Sequence, residues 1–214
     1  MSVSITADGI EKKYNRRKIF SNINFALREN DSLAITGRNG SGKSTLLKII
    51  SGALSPTEGE ISLTIENKNV AASDRFTLVG FVAPYLQLYD EFTALENLRL
   101  LRRIRGIRTS DETMLALLRR VNLFDRRNDF VRTYSSGMKQ RLKYAFALLH
   151  EPPVLLLDEP ASNLDDEGIA TVRQIIEEQK KKGILIIATN EQHDAELCQQ
   201  TIDLNKQIGR GENR

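Results

Sequence analysis

The run Gly37-Arg-Asn-Gly-Ser-Gly-Lys43-Ser44 constrains this chain more than any other feature. It fits the pattern G-x-x-x-x-G-K-[ST], and its flanks suit that pattern. The short apolar run Ser32–Thr36 ahead of it reads as a strand, and Lys43–Ser51 behind it reads as a helix closed by Gly52. The glycines let successive amides turn toward one point with no Cβ in the way. The helix that starts there adds unpaired N–H groups and a positive end, so the turn is built to take an anion. In such a loop Lys43 sits on the β- and γ-phosphates of a nucleotide and the Ser44 hydroxyl takes Mg²⁺. Gly37, Arg38, Asn39, Gly40, Ser41, Gly42 and Thr45 complete the cradle. The alternative is a glycine-rich turn that binds nothing. It needs the glycines, the lysine and the serine to fall in register by chance.

A second site of chemistry is Val154-Leu-Leu-Leu-Asp158-Glu159-Pro160. Four apolar residues make a central strand, and the two acids emerge at its C-terminal end, the edge where open α/β sheets bind ligands. Asp158 is the candidate for the Mg²⁺ shell and Glu159 for polarising the attacking water. Two acids in this place can also simply cap the next helix.

The rest of the pattern supports an α/β fold. Leu78–Val82, Val154–Leu157 and Ile184–Ala188 read as strands buried on both faces, and helical patterns lie between them. Glu167–Lys182 is the clearest helix, with Ile169, Val172, Ile175 and Ile176 on one face, three lysines in its last turn and Gly183 as a stop. Residues 1–30 break the rhythm: Ser2–Thr6 and Asn22–Leu27 flank a polar turn at Asn15–Lys18, as in an antiparallel hairpin. Residues 91–133 read as helices only, with capping boxes expected at Thr93/Glu96 and Thr109/Glu112.

Composition adds exclusions. At 214 residues, 40% hydrophobic and 28% charged, the chain is neither disordered nor collagen-like. No apolar run approaches the ~20 residues of a membrane span, and no basic segment followed by an apolar one marks a signal peptide. The single cysteine, Cys198, fits a reducing compartment. A net charge of +3 is too small to argue for nucleic acid or a membrane surface.

Tyr134-Ser-Ser-Gly-Met-Lys-Gln-Arg141 narrows the class. It resembles the L-S-G-G-Q signature of ATP-binding-cassette (ABC) proteins and precedes Asp158 as that family has it. Ser162-Asn-Leu-Asp165 is similar to the family's D-loop. Tyr14 matches the aromatic that stacks on adenine, and Thr93-Ala-Leu-Glu-Asn-Leu98 matches the start of the helical subdomain. The resemblance spans residues 3–205. It implies a P-loop NTPase core with a parallel sheet, an N-terminal antiparallel β subdomain and an inserted all-helical subdomain. The expected division of the 1–214 cassette is 1–84 with 134–214, and 85–133. It also implies a head-to-tail dimer that sandwiches ATP, with Ser135, Ser136, Gly137 and Asp165 of one subunit facing the phosphate loop of the other. A helix beginning at the signature supports that role through its free amides, although Ser135 or Ser136 can equally serve as its own helix cap.

Three departures from the family pattern stand out. Ser136 and Met138 replace the usual Gly and Gln of the signature. Pro84 falls where the Q-loop glutamine belongs, with Gln87 three residues on. Asn190 stands in place of the switch histidine, with His193 three residues on. Asn190 can donate to a γ-phosphate but carries no charge, and charge-assisted bonds are about twice as strong as neutral ones. The expectation is slow but real ATP hydrolysis through Glu159, Lys43 and Asn190.

The resemblance implies an ATPase subunit of an ABC transporter, of the export type and akin to haem-exporter subunits. Its partners are then a separate transmembrane permease, docking near residues 83–110, and a second ATP-binding subunit, identical or not. Its expected place is cytoplasmic, on the inner face of the cell membrane. Arg99, Arg102, Arg103, Arg105 and Arg108 meet lipid headgroups, acidic groups on that partner, or only solvent. The competing class is a non-transport ABC ATPase acting on ribosomes or nucleic acid, disfavoured by the single cassette and the absence of coiled coil. A small-molecule P-loop kinase leaves the signature and D-loop unexplained.

Overall fold

The computed structural model describes residues 2–15 and 17–207. Two sheets organise it. Strands β1 (Val3–Tyr14) and β2 (Arg17–Arg28) form the expected hairpin, paired from Ser4↔Arg28 to Tyr14↔Arg17. Both strands run further toward the turn than their apolar cores suggest. β1 also pairs antiparallel with β4 (Glu58–Ile65), which carries β5 (Lys68–Val70) on its other side. Neither β4 nor β5 is evident in the sequence. Only Ile61 and Leu63 of β4 are buried, so its strand character comes from its neighbour rather than from a long alternation.

The second sheet is parallel, in the order β6 (Val79–Val82), β7 (Val154–Asp158), β8 (Ile184–Thr189), β3 (Ser32–Thr36), β9 (Gln200–Asp203). Its central strands are buried on both faces. Leu155, Leu157, Leu185 and Ile187 face one apolar cluster, and Val154, Leu156, Ile184 and Ile186 face another. This alternation is the period of a strand with no polar face. The second cluster also takes α1 (Lys43–Ile50) and the antiparallel sheet. The first takes α2 (Ala94–Arg105), α3 (Asp111–Arg120), α4 (Ser136–Leu148) and α5 (Asp166–Gln179). Short helices α6 (Gln192–Ala195) and α7 (Leu204–Gln207) flank β9.

The Thr93/Glu96 box starts α2 as expected. Glu96 N donates to Thr93 Oγ1 at 3.2 Å and Thr93 N donates to Glu96 Oε2 at 2.8 Å. The Thr109/Glu112 box does not form. Ser110 is the cap of α3, accepting from Thr113 N at 3.1 Å, while Glu112 pairs with Arg119. The reason is lateral: Arg99 and Arg102 both hold Asp111, and Arg102 Nη1 also donates to Thr109 O at 3.1 Å, which fixes Thr109 outside the helix. The end of α5 is also corrected. The helix stops at Gln179, which is fully buried and donates to Pro152 O at 3.2 Å. Lys180–Lys182 lie in and beyond the cap rather than in the last turn.

Asn97 ties the loop before α2 to the helix itself. Its side chain is fully buried. It accepts from Tyr89 N and donates to the carbonyls of Tyr89 and Thr93, each at 2.9 Å. Asn97→Ala leaves both main-chain groups of Tyr89 without these partners. The expected loss is about 2 kcal/mol of unfolding free energy, read from urea midpoints at unchanged slope. A loss below about 0.5 kcal/mol contradicts this role.

Candidate active site

β3, β7 and β8 end level with one another. Thr36 pairs with Thr189 and Asp158 with Ala188, so the segments that follow converge on one edge. After β3 comes the phosphate loop. Gly37, Gly40 and Gly42 have φ of +149°, +81° and +102°. Two of them are also sterically required: a Cβ on Gly37 falls 2.5 Å from Ser41 Oγ, and one on Gly42 falls 2.5 Å from Ile19 Cγ2. The loop is anchored from outside by Arg38 N donating to Asn205 Oδ1 at 3.2 Å.

Lys43 is buried at 6% exposure, an expensive place for an ammonium group. Its Nζ donates to Gly37 O at 2.9 Å and lies 3.3 Å from Glu159 Oε1. Asp158 is more deeply buried. Burial pushes its carboxyl pKa up, against the opposing pull of Ser44, Lys43 and Lys48. Glu159 sits at φ +50°, a left-handed conformation that a residue with a Cβ adopts at a cost. Its N–H donates to Ala188 O at 2.8 Å, which fixes the turn and aims the carboxylate at the loop.

A cavity of about 340 Å³ results, lined by Asn39, Gly40, Gly42, Lys43, Ser44, Thr45, Asp158 and Glu159 together with Ile19, Pro84 and Tyr85. The expected phosphate and carboxylate groups therefore share one space. Tyr85 was not foreseen. Its ring lies 4.2 Å from Lys48 Nζ, and burial raises its phenol pKa. The only sequence signal for it is its place next to Pro84. The Pro84 loop is held through its backbone: Lys143 of α4, itself buried, donates to Pro84 O at 2.7 Å and Ala83 O at 3.3 Å.

Other singled-out residues lie elsewhere. Asn190 is exposed and lines a neighbouring cavity of about 740 Å³ with Gly37, Arg38 and Asn39. Gln87 lines a separate apolar groove, and His193 is bonded to Asp194 at 3.0 Å. Tyr14 ends β1 half-exposed, with Lys12 Nζ 5.1 Å from its ring centroid. In the signature, Ser135 caps α4 by accepting from Met138 N at 3.2 Å, and Ser136 is the first helical residue with φ in the ordinary negative range. Gly137 packs against the next loop, where an added Cβ meets Asn163 O at 3.1 Å. Asp165 caps α5, its Oδ1 accepting from Gly168 N at 2.9 Å. None of these four lines the phosphate cavity.

A family model described as "ABC transporter" matches residues 20–162. The uncharacterized ABC transporter ATP-binding protein YybJ of Bacillus subtilis is 35% identical over 199 residues, covering 92% of this chain and 90% of that protein. YxlF of the same organism, also an uncharacterized ABC transporter ATP-binding protein, is 37% identical over 92% of this chain and 66% of its own length. The lantibiotic transport ATP-binding protein SrtF of Streptococcus pyogenes is 35% identical over 85% of this chain and 77% of its own. Among solved structures, the dimeric ATP-binding cassette MJ0796 with ADP and Pi superposes with a TM-score of 0.80 at 26% identity, covering 93% of each chain. With the phosphate loop and the paired acids assembled at the sheet edge, the chain belongs to the ABC transporter family, as an ATP-hydrolysing ATP-binding subunit.

Proposed function

We propose that this subunit drives transport through a separate transmembrane permease, by ATP-dependent head-to-tail pairing of two cassettes. The observation that carries the reading is the convergence of Lys43, Ser44, Asp158 and Glu159 on one cavity. The signature residues Ser135, Ser136 and Gly137 lie outside that cavity in their own chain, which suits a role across the interface. The dimeric likeness, bound to ADP and Pi, supports this arrangement. No described helix is long and apolar enough to cross a membrane, so the pathway itself falls to the partner. The division into a core of 1–84 with 134–214 and a helical 85–133 belongs to the same reading. SrtF is named for lantibiotic transport and the LolD protein of Treponema denticola for a lipoprotein-releasing system, and a cargo of either class suits this reading.

Within the pair, the amides and glycines of 37–45 hold the β- and γ-phosphates and Tyr14 stacks on adenine. Lys43 now bonds Gly37 O and faces Glu159. A γ-phosphate oxygen placed between them is a better partner for the ammonium than a carbonyl, because the bond becomes charge-assisted on both sides. Lys43 thereby leaves Glu159 to accept a hydrogen bond from the attacking water. Mg²⁺ fits the hard oxygen pair of Ser44 and Asp158, and when bound it neutralises phosphate charge. The burial that raises the Asp158 pKa leaves its carboxylate in want of a cation.

Asn190 sits beside Gly37–Asn39, the right neighbourhood for the γ-phosphate but with a neutral donor. Pro84 offers no side-chain group to the cavity. Hydrolysis is accordingly slow, and the remaining rate rests on Glu159.

Glu159→Gln is expected to lower turnover by about 10²-fold or more while ATP still binds, measured by phosphate release and by nucleotide equilibrium binding. Turnover unaffected by this change rules out the proposed base. Asn190→His is expected to raise turnover about fivefold below pH 7, where the ring carries charge, with the gain shrinking as the ring deprotonates at higher pH. An unchanged rate across that range shows that the neutral donor is not what limits catalysis.

A further inference from the structure

The turn that follows β6 brings Tyr85 to the nucleotide cavity. Val82 pairs with Leu157, so this turn leaves the sheet at the same edge as Asp158. Leu86 N donates to Ala83 O at 3.1 Å, which closes a β-turn with Pro84 and Tyr85 at its two central positions. Proline suits the first of these, because its ring sets the φ that the turn needs. Pro84 thus supplies backbone shape, and the next residue supplies the polar side chain. Lys143 anchors the turn by its bonds to the carbonyls of Ala83 and Pro84.

Two contacts orient the ring. Phe81 meets it edge-on, with centroids 6.3 Å apart and planes at 84°. Lys48 Nζ stands 4.2 Å from its centroid, one turn beyond Ser44 on α1. Both contacts use the ring and leave the hydroxyl free. Tyr144 and Tyr134 spend their hydroxyls on the carbonyls of Pro160 and Arg126, at 2.8 Å and 2.7 Å. Among the described residues the Tyr85 hydroxyl has no such partner, although Tyr85 lines the same cavity as Ser44, Asp158 and Glu159. Burial, and then the charge of Asp158, raise its phenol pKa. The group is therefore a neutral hydroxyl at physiological pH.

We propose that Tyr85 is a further catalytic residue for ATP hydrolysis, its hydroxyl oxygen accepting one hydrogen bond from the attacking water while Glu159 accepts the other. This rests on the reading of Glu159 as the group that polarises the water. A water held by Glu159 alone still turns about that one bond. With both hydrogens engaged, it directs a lone pair at phosphorus, and its orientational freedom is lost before the reaction begins. In the attack the water oxygen bonds to the γ-phosphorus and the bond to the bridging oxygen of ADP breaks. The water's proton passes to Glu159 and from there to the released phosphate. Tyr85 gains and loses no proton. The competing account is packing, in which the ring only covers Lys48. Phenylalanine packs equally well, so the hydroxyl can be tested apart from the ring.

Tyr85→Phe is expected to lower kcat for ATP hydrolysis about tenfold while the ATP dissociation constant changes by less than about twofold. Tyr85→Gln returns a side-chain oxygen and is expected to turn over faster than Tyr85→Phe. A second readout needs no turnover. In the full chain labelled with fluorotyrosine, one of the five tyrosine signals in the fluorine NMR spectrum vanishes in Tyr85→Phe and so belongs to Tyr85. In Glu159→Gln, where ATP stays intact, that signal is expected to shift on adding ATP and to return when ADP replaces it. Full turnover in Tyr85→Phe overturns the proposal, and a slow Tyr85→Ala beside it assigns the ring to packing. A loss confined to ATP affinity, or a signal indifferent to ATP, overturns it as well. If Glu159→Gln hydrolyses ATP at the wild-type rate, the reading of Glu159 falls, and this inference with it. A slow Glu159→Gln beside a fully active Tyr85→Phe removes the inference alone.

Discussion

The level ending of three parallel strands is the constraint on which the rest depends. β7 and β8 place alternate residues in two apolar clusters, and β3 places Leu33 and Ile35 in one of them, so core packing fixes their register. A shift by one residue would turn each strand's side chains to the opposite cluster and displace its exit by one residue. In the observed register Thr36, Asp158 and Thr189 finish at the same edge. The phosphate loop, the Glu159 turn and Asn190 leave from there, so catalytic geometry follows from core packing.

The same edge concentrates charge in a poorly hydrated space, and the structure handles its buried cations in different ways. Lys43 is held by Gly37 O and Glu159, and Lys143 by the carbonyls of the Pro84 loop. Lys143 thereby joins α4 to the Pro84 loop through that loop's main-chain carbonyls. Arg105 differs from both lysines: among the described residues its Nη1 has no acceptor.

Ser135, Gly137 and Asp165 each have a structural task within their own chain. Ser135 and Asp165 each cap a helix, and Gly137 approaches Asn163 too closely for a larger side chain to fit without adjustment. These contacts stabilise the fold in one chain. In the proposed pairing of two cassettes, the same helix N-termini would offer their amides to an anion held by the other subunit.

Much of the site was written in local sequence. The glycine spacing around Lys43, the acids after Val154–Leu157 and the Thr93/Glu96 box each depend on short-range backbone chemistry, and each was found where the pattern placed it. Pro84 and Asn190 stand out in the sequence only against the pattern it resembles, and their part in the reaction belongs to the proposed function. Tertiary structure decided what depends on neighbours distant in the chain. β4 and β5 are strands because β1 pairs with them, and Ser110 displaces Thr109 as a cap because Arg102 holds Thr109 from another helix. Gln87 left the nucleotide cavity for a separate groove, and Tyr85 entered it. Five arginines that look alike in sequence became paired with Asp111, exposed, or partly buried beside His150. A linear pattern records charge and spacing, but only packing determines which charge is left without a partner.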